Sequence, residues 1–79
     1  VITVVVPAHD ERARLPACLS SLRVAAARVP VPVRVVVVAD ACSDDTAALA
    51  AAGGAEVVTI AERNVGRARA AGMAYALNG

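Results

Sequence analysis

The sequence predicts a three-layer α/β fold with a Rossmann-like parallel sheet, in the order βαβαβα. Three observations carry that prediction. Short apolar runs rich in β-branched residues alternate with segments of helical periodicity. The runs are near-continuously apolar rather than alternating, as in a parallel sheet covered by helices on both faces. Polar residues gather in the loops after each run, at 7–14, 40–45 and 61–66. Right-handed crossovers put those loops on one carboxyl edge, where open α/β sheets bind ligands.

Residues 1–6 are the first strand. Pro7 is expected to end it, because proline cannot donate to a sheet ladder. A helix is expected over 15–28. Pro16 suits its first turn, and Leu15, Leu19, Leu22 and Ala26 form one apolar face. Val29-Pro30-Val31-Pro32 stops it and returns the chain extended. Residues 33–39 form a second buried strand, broken only by Arg34 and closed by Asp40. Ser43 reads as the N-cap of a helix over 46–52, with Asp44 and Asp45 in its first turn. Gly53-Gly54 is its stop. Residues 56–60 give a third strand, 61–65 a polar turn around Asn64, and 66–77 a third helix interrupted by Gly72.

With 79 residues the chain holds at most one domain. Hydrophobic residues make up 58%, but many are alanine, and Tyr75 is the single aromatic. A chain this small, with no disulfide pattern or metal cluster, needs outside help to be stable. The expectation is therefore an incomplete domain. A net charge of +1, dispersed arginines and missing stacking aromatics argue against nucleic acid. No apolar stretch reaches the roughly 18 residues of a membrane span, and residues 1–6 lack the basic flank of a signal peptide. Cys18 and Cys42 have neither CxxC nor zinc-site spacing, so they read as free thiols in a reducing cytosol. Cys18 is expected in the core, and Cys42 in the ligand loop.

A dinucleotide fold would carry G-x-G-x-x-G after the first strand. Here that loop is Pro7-Ala8-His9-Asp10-Glu11, with no glycine and two acids. There is no P-loop, and Gly53-Gly54 sits at the wrong helix end for phosphate. An acidic, glycine-free edge can instead read a base and a ribose. One carboxylate accepts the imino N–H of a pyrimidine and another accepts ribose hydroxyls, both as charge-assisted bonds. An arginine of the third loop or its helix can meet a diphosphate. Asp44 reads as a structural first-turn acid. His9 reads as a turn residue without an acid–base partner, and Asn64 as a turn former.

Val4-Val5-Val6-Pro7-Ala8-His9-Asp10-Glu11 resembles the opening of family 2 inverting glycosyltransferases, P-x-x-N-E, with Asp10 in place of asparagine. Val38-Ala39-Asp40-Ala41-Cys42-Ser43-Asp44-Asp45-Thr46 is similar to their V-D-D-G-S-T-D-G-T. Asp40, Asp44 and Thr46 match, while Ala39, Ala41, Cys42 and Asp45 depart. The run from Asn64 to Gly72 resembles N-x-G followed by A-R-N-x-G, with Ala70 replacing asparagine. The resemblance implies a partial GT-A fold, with residues 1–79 as the N-terminal nucleotide-binding part of a glycosyltransferase domain. It implies that Pro7 and Ala8 line the base, Glu11 reaches the ribose and Asp40 accepts from uracil. It places Arg69, or else Arg67, near the diphosphate.

The implied reaction moves a sugar from a nucleotide-diphosphate sugar, a UDP-sugar, to an acceptor hydroxyl with inversion. The implied cation is Mg²⁺ or Mn²⁺. Its ligands and the general base are expected beyond residue 79, so this segment holds no catalytic or metal residue. The partners are the nucleotide-sugar donor, an unspecified acceptor that in this family is often membrane-associated, and a second copy if the chain is a homo-oligomer. The expected location is cytoplasmic, including the inner face of the membrane. Two alternatives stay open: a non-enzymatic nucleotide-binding or interaction module, and a sugar nucleotidyltransferase.

Overall fold

In a computed structural model, residues 1–78 are described and form three strands and three helices. The elements are β1 (Ile2–Ala8), α1 (Leu15–Ala26), β2 (Val33–Asp40), α2 (Thr46–Ala52), β3 (Glu56–Ile60) and α3 (Val65–Asn78). The strands are parallel, in the order β1-β2-β3. Register runs from Ile2 opposite Val33 to Ala8 opposite Ala39, and from Val36 opposite Glu56 to Asp40 opposite Ile60. All three strands thus end at one edge.

Alternation along β2 divides the core in two. Val37 packs with Ala8, Leu15, Leu19 and Ala50 under α1 and α2. Val36 and Val38 pack with Ala68 under α3 on the other face. The architecture is the expected three-layer one, and β2, covered on both faces and paired on both sides, is its most buried strand.

Several local expectations are corrected. Pro7 does not end β1; it lies within the strand, opposite Val38. The Ile2 N–H donates to the Pro32 carbonyl on the β2 side at 2.9 Å. Even-numbered residues of β1 therefore aim their N–H groups at β2, and Pro7 turns its missing donor to the opposite side, which is unpaired among the described residues. That is the position a sheet allows to proline. α1 ends at Ala26 rather than 28, because the Arg28 N–H turns back to Ala25. α3 runs unbroken through Gly72, which is buried. Cys18 is exposed, not core.

At the amino end of the sheet, Arg34 fastens α3. Its Nε and Nη2 donate to Glu56 at 2.8 Å each, and Nη1 donates to the Ala76 carbonyl at 3.2 Å. The Tyr75 hydroxyl donates to Glu56 at 3.0 Å. Bonds from Arg34 and then Tyr75 hold the Glu56 carboxyl down to about 2.

Candidate functional site

Each strand leaves the carboxyl edge through a loop containing one left-handed residue that is not glycine: Asp10 (φ 49°), Ala41 (φ 52°) and Arg63 (φ 49°). Such a residue costs roughly 1–2 kcal/mol. Strain of this kind persists where the surroundings over-determine it, which is common at ligand sites.

The first two loops are laced together by side chain to backbone bonds. Asp10 Oδ1 accepts the N–H groups of Ser43 (2.7 Å) and Asp44 (3.3 Å), and the Ser43 hydroxyl also donates to Asp10. In return, the Glu11 N–H donates to Thr46 Oγ1 at 3.0 Å, and the Arg12 N–H to Asp44 Oδ2 at 3.4 Å. Thr46 is fully buried, and its hydroxyl donates to Asp44 Oδ1. The Ser43 N–H holds the Asp10 carboxyl below its ordinary range, and the Thr46 hydroxyl does the same for Asp44. Ser43 is therefore not the cap of α2. The N-cap position is Asp45, and the Asp44 carboxylate satisfies the Thr46 N–H at 2.9 Å.

The third loop is fixed by Asp40. Its Oδ1 accepts the N–H groups of Glu62 (2.7 Å) and Arg63 (2.8 Å), and its Oδ2 that of Asn64 (2.8 Å). Asp40 is only 4% exposed. Burial alone would raise its pKa, but these N–H bonds outweigh it and keep the carboxyl below its usual value. Asn64 is then the cap of α3, since its Oδ1 accepts the Arg67 N–H at 2.9 Å. His9 Nδ1 meets the Asp40 carbonyl at 2.6 Å, so this nitrogen carries the proton and donates.

Between the loops lies a cavity of about 250 Å³. The structure brings Pro7, Ala8, Glu11 and Asp40 together on its wall. Arg67 and Arg69 are not on it; both are exposed on α3, and Arg67 pairs with Glu62 at 3.1 Å. His9, Arg63, Asn64 and Val65 complete much of the lining. Arg63 carries no motif signal, and its place at a strand-end loop is the one hint the sequence offers. A larger cavity of about 390 Å³ opens at the amino end between α1 and α2, around Leu19, Leu22, Arg23 and Gly53. It lies away from every strand-end loop.

Residues 3–78 match the sequence signature described as Glycosyl transferase family 2. The chain belongs to that family. It is also similar to a solved structure, glucosyl-3-phosphoglycerate synthase from Mycobacterium tuberculosis in complex with UDP. Identity is 33% and the TM-score 0.61, over 75% of this chain and 21% of that one. The chain thus spans about a fifth of the length of the solved relative. No curated protein matches it. The three parallel strands and their helices are part of a GT-A fold. No helix among the described residues is long and apolar enough to cross a membrane.

Among the described residues of this family 2 chain, one group has metal-like spacing: Asp10, Cys42 and Asp44 place donor atoms within 4.8 Å of one another. It does not fit the hard cation the family implies. Both carboxylates already accept backbone N–H bonds, and a thiol is a soft ligand unsuited to Mg²⁺ or Mn²⁺.

Proposed function

We propose that this chain is the nucleotide-binding part of a glycosyltransferase that uses a UDP-sugar and transfers the sugar to an acceptor hydroxyl with inversion. One observation carries the reading. In a family 2 chain, a single cavity on the carboxyl edge joins Pro7, Ala8, Glu11 and Asp40. Its volume lies below the roughly 300–1,000 Å³ of small-molecule sites. It suits the nucleoside end of a donor rather than a whole nucleotide sugar.

Asp40 keeps acceptor capacity, because its Oδ2 accepts one N–H from the loop and a carboxylate oxygen can accept two. That capacity takes the imino N–H of uracil. Pro7 and Ala8 offer an apolar wall to the base. Glu11 engages its neighbours through its backbone N–H and carbonyl, leaving the carboxylate to accept from ribose hydroxyls. A divalent cation, Mg²⁺ or Mn²⁺, supplies charge stabilisation to a leaving diphosphate in such reactions. The general base and the cation ligands are assigned to parts of the intact protein other than these residues.

Calorimetric titration of the intact protein with UDP, GDP and TDP tests the reading. UDP is expected to bind most tightly, because a purine is bulky for a cavity of about 250 Å³, and TDP adds a methyl group to the base and lacks the ribose 2′-hydroxyl that Glu11 would accept from. Equal affinity for all three, or no binding, would remove it. The nucleotidyltransferase alternative gains no support from the first loop, which has no phosphate-cradling glycine.

A further inference from the structure

Arg63 is a wall residue outside the family motifs read from the sequence. It shares the cavity with the carboxylate residues Glu11 and Asp40, which would repel the diphosphate of a donor unless a cation offset them. Three features mark it out. Its backbone is held in the left-handed region (φ 49°). The bond that holds it there, from its N–H to Asp40 Oδ1, is 2.8 Å long and belongs to the most buried carboxylate of the site. Its guanidinium has no ion pair or side-chain hydrogen bond among the described residues. By contrast, Arg67 is tied to Glu62 at 3.1 Å and Arg12 to Asp45 at 3.3 Å.

We propose that Arg63 binds the diphosphate of the nucleotide donor, and that Asp40 is the positioning residue that presents it. The proposal rests on the nucleotide-binding reading above. A guanidinium is suited to the task because its planar fork matches phosphate oxygens and it is never deprotonated. A contact with the diphosphate gives a function to an arginine in a left-handed position where glycine would carry no Cβ penalty. A single residue, Asp40, then links the two ends of the ligand: one lone pair reads the base while the loop it fixes carries the cation.

The test is titration of the intact protein with UDP and with uridine, which lacks the phosphates. Arg63→Gln is expected to weaken UDP by about ten- to a hundredfold, the loss of a charge-assisted contact, and to leave uridine unchanged. Arg63→Lys should recover part of the UDP affinity, keeping the charge but not the fork. Arg63→Gly should lose UDP as Arg63→Gln does while its melting temperature rises, since the left-handed strain is relieved. A merely structural role would not separate those two readouts. Unchanged UDP affinity in Arg63→Gln, with the unaltered protein still binding UDP, overturns this inference alone. A parallel loss of uridine overturns it too, because Arg63 would then touch the base. If the unaltered protein binds neither ligand, the nucleotide reading falls with it.

Discussion

Gly72 of α3 lies against Val5 of β1 with no room for a side chain between them. A Cβ at this position would overlap Val5 Cγ1 and stand 2.9 Å from Val38 Cγ2. The close approach lets α3 cover the sheet face built from Val36 and Val38, and so sets the height of the α3 amino end beside the cavity. Gly72→Ala is expected to destabilise by about 1–3 kcal/mol through overpacking, although alanine is the better helix former. Urea unfolding checks it; an unchanged or raised midpoint would contradict the packing described.

Ala41 follows Asp40 with φ 52°, at the position where the resembling family motif carries glycine. Ala41→Gly is expected to stabilise by about 1 kcal/mol, the left-handed cost of a Cβ less the added freedom of the unfolded chain. Thermal unfolding measures it, and a lower melting temperature would mean that the turn is not left-handed.

Acid should loosen the amino end of the sheet. The Glu56 carboxyl is lowered from 4.5 to about 2 in the fold, so the unfolded chain takes up its proton first. Its contribution is complete above about pH 4.5 and is lost as pH falls toward 2. Asp10, Asp40 and Asp44 are lowered as well and act in the same direction. The Arg34–Glu56 pair is partly exposed, so its share is modest and salt-sensitive. Glu56→Gln should flatten part of the acid limb in unfolding midpoints taken from pH 6 downward. An identical acid limb in the variant would show that the pair contributes nothing.

Much of the fold was legible because strand and helix periods leave direct marks. The limits of α2 and β3 coincide with those expected from Thr46, the Gly53 stop and the Glu56–Ile60 run. What failed depended on spatial neighbours. The sequence does not tell which way the Pro7 nitrogen faces in β1, nor that Gly72 meets Val5 rather than breaking a helix. Ser43 has the right chemistry for a cap, yet Asp10, 33 residues away in sequence, draws its N–H and hydroxyl into the first loop. At the site, Pro7, Ala8, Glu11 and Asp40 could be named because strand ends locate them. Arg67 and Arg69, which the resemblance places near a diphosphate, lie exposed on α3, and the position of Arg63 on the cavity wall is not legible in the sequence because backbone clamping by Asp40 is invisible in one dimension.

The central claim is that Asp40 organises a nucleotide site, and calorimetric titration of UDP into the intact protein and its Asp40→Ala variant tests it most directly. Removing the carboxylate takes away an acceptor for the base and releases the N–H groups of Glu62, Arg63 and Asn64. The account predicts UDP binding weaker by about tenfold or more, with a lower melting temperature. UDP binding as tight in Asp40→Ala as in the unaltered protein would contradict it.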